Sequence, residues 1–215
     1  MKKIVSILGM VIVMAAVGSV NAQLSINAAY ISQEHTFDYR NGILDSLNQE
    51  GLWLNGGMLG LSLNAPLLGK VGIAPGVYLS YAQAKQLITD TTGASTNPRT
   101  STITLKVPFY LNYKIPVGVN ADVIVFGGPV VNLGLSTLSN YSNVSTQMDA
   151  HFDMGATIGA GIQFYRVRLF VGYNLDLIDR EDFTLADKQS VKKAWEGSTL
   201  FVGLGVSLGS RDDRF

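Results

Sequence analysis

The chain has 215 residues, of which 47% are apolar and 15% charged; 16 Lys and Arg balance 16 Asp and Glu, and there is no Cys. That length fits one domain or two small ones, the ample apolar fraction at zero net charge excludes disorder, and the neutral balance argues against a nucleic-acid partner. The absence of Cys excludes disulfides, thiolate metal sites and a lipid-modified N-terminal Cys, and no run reaches the roughly 18 to 20 apolar residues of a spanning helix.

Residues 1–22 read as a secretory signal peptide. Met1-Lys2-Lys3 is the basic start, Ile4 to Val17 the apolar stretch, and Gly18-Ser19-Val20-Asn21-Ala22 a small-residue cleavage region. The mature chain, residues 23–215, is then expected to be exported as one domain.

Period two runs through that mature chain. In chain order, Leu24, Ile26, Ala28 and Tyr30 alternate with Ser25, Asn27 and Ala29. Leu59, Leu61 and Leu63 alternate with Gly60, Ser62 and Asn64. Val71, Ile73, Val77, Leu79 and Tyr81 face away from Gly72, Gly76 and Ser80. Ile103 to Tyr113 and Thr102 to Asn112 make six strictly alternating pairs, which a period of 3.6 cannot produce. Val123, Val125, Val131 and Leu133 oppose Asp122 and Asn132, with Gly127-Gly128-Pro129 between them. Residues 152–164, 167–177 and 200–208 repeat the pattern, so eight strands are expected. All exceed the usual globular length of about five to six residues.

The connections alternate in length. Short ones fall at 65–69, at 115–118 and at Tyr165-Arg166. Long polar ones fall at about 36–51, 85–99, 135–150 and 179–197. The less apolar face is Gly, Ser, Thr, Asn and Ala with isolated charges: Lys106, Asp122, Asp153, Arg168 and Asp176. Those five are expected to form a polar network in a narrow lumen. The other face carries tall aliphatics with Tyr30, Trp53, Tyr81, Tyr113, Phe152, Phe164 and Tyr173, expected as an aromatic girdle facing lipid. A soluble barrel wears its faces the other way. The predicted fold is therefore an all-β, eight-stranded antiparallel up-and-down transmembrane barrel in a bacterial outer membrane. Pro75, Pro108 and Pro129 lie within strands and predict bulges or irregular pairing there.

With these segments in place the chain resembles the Bacteroidota outer-membrane β-barrel family, the PorT-like or porin-family barrel domain. The matching parts are Lys106-Val107-Pro108-Phe109-Tyr110-Leu111, Gly127-Gly128-Pro129, the entry Phe152-Asp153-Met154-Gly155 into Gly159-Ala160-Gly161-Ile162, and the closing strand with Gly203 and Gly205. The resemblance covers residues 23–215. It implies a small outer-membrane barrel in contact with outer-membrane lipids and the barrel-assembly machinery. Most members have no assigned activity and a few are tied to secretion. The last strand departs from the family pattern: Phe215 is the terminal aromatic, but Ser210-Arg211-Asp212-Asp213-Arg214 separates it from the strand.

Catalytic chemistry finds little support. His35 and His151 sit near loop-side strand ends, and no nucleophile accompanies either. Asp149, His151 and Asp153 share a strand face, but lack the further ligands of a metal centre. The expectation is no enzyme, no cofactor and no metal. The role expected is a structural or interaction barrel with outward loops and an unidentified surface or secretion partner. The alternatives are a narrow pore or transport component and, less favoured, a lipid-modifying enzyme.

Overall fold

The computed structural model describes residues 22–39, 52–85, 88–89, 95–96, 99–141, 144–148, 151–178, 183–184 and 190–208. The expected signal segment before Ala22, and Phe215, lie outside them. All regular secondary structure described is strand. Eight strands build one closed wall: β1 (Gln23–Tyr39), β2 (Leu52–Leu68), β3 (Val71–Lys85), β4 (Arg99–Pro116), β5 (Ala121–Tyr141), β6 (His151–Phe164), β7 (Val167–Ile178) and β8 (Ser190–Leu208). Each pairs antiparallel with its chain neighbour, and β8 returns to pair with β1 from Leu24↔Leu208 to Tyr39↔Val191. Closure leaves no sheet edge, so every strand of the wall has a partner on both sides.

The register fixes the shape. Starting at Asp122 in β5, the row of paired residues passes through Gln163, Arg168, Gly205, Asn27, Gly60, Tyr78 and Lys106. It re-enters β5 at Asn132, ten residues beyond its start. With a rise of about 3.3 Å per residue and strands about 4.8 Å apart, that offset tilts the strands by roughly 41°. Every member of the row lies on the lumen side, so a single inward spiral joins residues far apart in sequence.

The strands run farther than alternation predicts. β8 begins at Ser190 rather than near Leu200, and β5 continues to Tyr141. Part of the expected loop 135–150 folds back as Val144–Met148, paired with Thr137 to Tyr141. Within 85–99, Ile88–Thr89 pairs with Ser95–Thr96. Ser136-Thr137-Leu138-Ser139-Asn140 has no apolar period, because both faces of a ladder above the wall can be polar. The backbone there extends hydrogen bonds already begun below.

The three short turns share one end with the start of β1 and the finish of β8. The first is Gly69-Lys70, not 65–69, since pairing continues to Leu68↔Val71. Gly69 supplies the positive φ, 56°, that a two-residue turn requires. Tyr165 takes φ 54° without being glycine, and local bonds hold it there. Asn120 Nδ2 donates to its hydroxyl at 2.9 Å, and Gln163 Nε2 donates to its carbonyl at 3.1 Å.

The prolines interrupt the pairing, as expected, but do not shift its register. Pro75↔Phe109 and Tyr78↔Lys106 keep one alignment across the gap between them, as do Pro108↔Val130 and Leu111↔Gly127. Each proline removes one donor, and the bonds on either side hold the alignment. The register shifts lie elsewhere, at Gln33/His35, Asp38/Tyr39, Pro66/Leu68, Ile103/Thr104 and Asp176/Ile178.

A barrel this narrow must match large inward residues to vacant ones. Gly172 faces Phe201 across the β7–β8 ladder, Gly203 faces Phe170, Gly159 faces Phe126 and Gly60 faces Tyr78. A methyl added to Gly172 would meet the Phe201 ring first. Outward Gly57 has its nearest obstacle, the Ala29 carbonyl, at 3.8 Å. Gly172→Ala is expected to destabilise the folded barrel by about 1–3 kcal/mol through overpacking. Gly57→Ala should leave stability unchanged. Adding Phe201→Leu to Gly172→Ala should restore part of the loss; denaturant titration in detergent, with no recovery in the double variant, would show that the ring is not the obstacle.

Candidate functional site

Two surfaces carry the chemistry: the wall that faces outward and the lumen. Outward positions are apolar along every strand. Leu59 is 63% exposed, Ile158 63%, Leu204 51% and Leu169 58%. The inward neighbours are buried: Asn27, Ser62, Thr104, Lys106, Asn132, Asp153 and Thr157. A wall of aliphatics around a partly polar interior is stable only where lipid, not water, surrounds it.

The expected girdle residues divide between the ends. Tyr30, Trp53 and Tyr81 point outward on the loop side. Tyr30 Oη donates to Asn55 Oδ1 at 2.7 Å and Tyr81 Oη to Gln83 Oε1 at 3.3 Å, so the phenols meet polar groups at the rim. Tyr113 and Phe164 point outward at the turn end. Phe164 stacks edge-on against Tyr165 with ring centres 4.7 Å apart. Tyr173 also points outward, but Leu175 and Leu177 continue the aliphatic wall beyond it. The side chain of Phe152 lies outside the described residues, as do those of His35 and His151.

The lumen has three storeys. At the turn end, polar side chains bond one another. Asn27 Nδ2 donates to Ser62 Oγ at 2.9 Å, Asn64 Nδ2 to Ser25 Oγ at 2.9 Å, and Ser25 and Ser207 hydroxyls lie 3.1 Å apart. Arg168 Nη2 donates to Asn64 Oδ1 and to Gln163 Oε1, both at 3.3 Å.

The middle storey is aromatic. Tyr110 and Phe126 have ring centres 5.3 Å apart, Phe126 and Phe201 6.5 Å, and Phe201 and Phe170 6.1 Å. These rings come from β4, β5, β8 and β7, and so reach across the barrel. Tyr78 and Met58 close the remaining side. Two cavities border this layer, of about 30 and 20 Å³. Each holds about one or two waters.

Above the rings a second polar cluster begins. Tyr110 Oη donates to Thr157 Oγ1 at 3.4 Å, and Thr157 donates to Asn174 Oδ1 at 3.0 Å. Asn174 Nδ2 and Asn132 Nδ2 both donate to Asp176 Oδ1, at 2.9 and 3.4 Å. Lys106 and Asp153 flank Asn132 in the inward row. Lys106 is 6% exposed, and its Nζ has no hydrogen-bond partner among the described residues.

The five expected lumen charges thus all take inward positions, but not in one network. Asp122 and Arg168 belong to the turn end, and Lys106, Asp153 and Asp176 to the loop side. The aromatic layer lies between them. Alternation placed Phe170, Phe201 and Tyr110 on the small-residue face without assigning them a role. Their signal is a tall ring on a face of Gly and Ser. Only the register shows that each of Phe170 and Phe201 stands against a glycine. Of Asp149, His151 and Asp153, only Asp153 has a described side chain, and it lies in the lumen. Among the described residues no group of three or more His, Cys, Asp or Glu could hold a metal ion.

These features define a class: a small, closed, eight-stranded antiparallel transmembrane β-barrel. No family model matches the chain, and no curated protein does. Among solved structures, Neisserial surface protein A (NspA) aligns with TM-score 0.49 at 10% identity, covering 87% of this chain and 98% of that one. A major outer membrane protein from Thermus thermophilus aligns with TM-score 0.49 at 12% identity over 87% and 99%. Ail, the attachment invasion locus protein of Yersinia pestis, in complex with sucrose octasulfate, aligns with TM-score 0.40 at 14% identity over 87% and 99%.

The outward assignment has a depth-dependent test. Leu61 lies midway along β2 between Trp53 and the Gly69 turn. Leu105 pairs with Leu79, two residues from rim-bound Tyr81. Leu61→Lys should cost about 2–4 kcal/mol of folding stability in lipid vesicles, and Leu105→Lys distinctly less. Equal costs would remove the assignment of lipid depth to these positions.

Proposed function

We propose that this protein is an integral barrel of a bacterial outer membrane, exported by residues 1–22. Its role is structural or interactive rather than catalytic. The motifs around Lys106-Val107-Pro108, Gly127-Gly128-Pro129 and Phe152-Asp153-Met154-Gly155 favour its grouping with the Bacteroidota PorT-like barrels. The barrel-assembly machinery and outer-membrane lipids are its expected partners, with a further surface or secretion partner at the loops.

One observation carries the non-conducting part of this reading. The ring layer of Tyr110, Phe126, Phe201 and Phe170 crosses the lumen, and the cavities beside it hold about a water or two each. An eight-stranded barrel leaves an interior only wide enough for its own side chains. An ion would have to displace the rings and also leave its hydration shell. What remains for function is the surface, above all the loop end, where the ladders extend beyond the wall.

In planar bilayers the protein should show no defined, reproducible openings. Combined Phe126→Ala, Phe170→Ala and Phe201→Ala should create small ones, if the rings are the plug. Reproducible conductance by the parent protein would replace this reading with that of a narrow pore.

Orientation gives a separate check. Short turns sharing an end with both strand termini imply that the long connections face outside. A peptide tag inserted near Ser95 or Ser142 should be reached by antibody on intact cells, and one at Val117 should not. The opposite labelling would reverse the orientation.

A further inference from the structure

Among the described residues, the two most exposed large apolar side chains lie at the turn end of the barrel. Val119 is 95% exposed and Leu68 82%, and both belong to turn-end hairpins. Leu67 and Val117 beside them are also exposed. Leu68 is the last residue of its strand and pairs with Val71, which in turn pairs with Tyr113 of the aromatic band, while Val119 lies in the turn before Ala121, which pairs with Phe164.

Cations occupy the same turns. Lys70 and Arg166 are exposed. At this end the single carboxylate among the described residues is Asp122, on the inward face with Ile124. Among the described residues the outer rim of the turn end is therefore apolar and cationic. That pairing matches the boundary between acyl chains and phosphate headgroups, where aliphatics sink and ammonium or guanidinium groups reach outward.

Geometry selects a membrane over a soluble partner. The tips and cations belong to the β2–β3, β4–β5 and β6–β7 hairpins, spaced around the barrel mouth. A globular partner would need one contiguous patch, whereas a lipid leaflet surrounds the whole rim.

We propose that the turn end is a phospholipid-anchoring foot: Leu67, Leu68, Val117 and Val119 enter the headgroup boundary, and Lys70 and Arg166 bind the phosphates of anionic phospholipids. This rests on the membrane reading above and adds a lipid preference to it. Anionic surfaces attract basic side chains close to them, and salt screens that attraction.

The test uses the whole protein folded into phosphatidylcholine vesicles with and without phosphatidylglycerol. The measured quantity is the temperature midpoint of the heat-modifiable gel shift. Phosphatidylglycerol should raise the midpoint by several degrees at low salt and much less at high salt. Lys70→Gln with Arg166→Gln, which keeps length and polarity, should fold and lose most of the rise. Leu68→Ser with Val119→Ser should lower the midpoint in both vesicles while keeping the rise. Insertion with equal midpoints in the two vesicles overturns the lipid preference alone, as does a rise that the Gln variant retains. Failure to insert into either vesicle overturns the membrane reading and the foot with it.

Discussion

Closure of eight strands with a ten-residue offset is the constraint from which the rest follows. It sets the tilt, and the tilt with strand number sets a lumen about as wide as the side chains that project into it. No inward residue can be chosen independently of the residue across the ladder. The glycines opposite Phe126, Phe170, Phe201 and Tyr78 are the consequence. Each vacancy admits one ring, and the rings together close the centre of the barrel. The same constraint turns the inward row into a spiral. Asp122 and Asn132 lie on one strand and one row, yet at different heights.

Polarity is distributed according to what can be satisfied. Near the turn end, amides, hydroxyls and the Arg168 guanidinium bond one another in a closed set. On the loop side, Asp176 accepts from two asparagines. Between these clusters the rings need no hydrogen bonds, apart from the phenols of Tyr110, which finds Thr157, and Tyr78, which finds Ser62. A buried polar group without a partner is costly, so separating polar storeys by an apolar one limits the number that must be matched. Among the described residues, Lys106 Nζ, Asn132 Oδ1 and Thr199 Oγ1 depart from this pattern, buried without a hydrogen-bond partner. Lys106 is a buried cation on the loop-side border of the ring layer, in a row with Asn132 and Asp153.

The two ends of the barrel are built for different surroundings. At one end the strands rise above the apolar wall and continue as polar ladders, with β5 turning back through Val144–Met148. At the other end the turns are two to four residues long and carry Leu68, Val119, Lys70 and Arg166 at their tips. Length on one side and apolar, basic compactness on the other give the molecule a direction. The proposed orientation, loops outside and turns close to the bilayer, rests on that direction.

Much of this is legible in the sequence alone. The alternation of Ile103 to Tyr113 against Thr102 to Asn112 determines a strand with two unlike faces. Eight such segments with short and long connections in turn determine an up-and-down barrel. Which face meets lipid also follows from the sequence, because tall aliphatics and small polar residues cannot exchange surroundings. The pattern holds only where one face is apolar. It therefore missed the polar upper parts of β5 and β8, whose pairing is carried by backbone bonds. It also could not tell that Pro75 and Pro108 would leave the register intact. The grouping of the lumen charges was beyond it for a similar reason. Arg168 and Lys106 are both inward by parity, but parity carries no height. Their separation depends on the offset between strands, which is a sum over all eight ladders and is set only when β8 closes on β1.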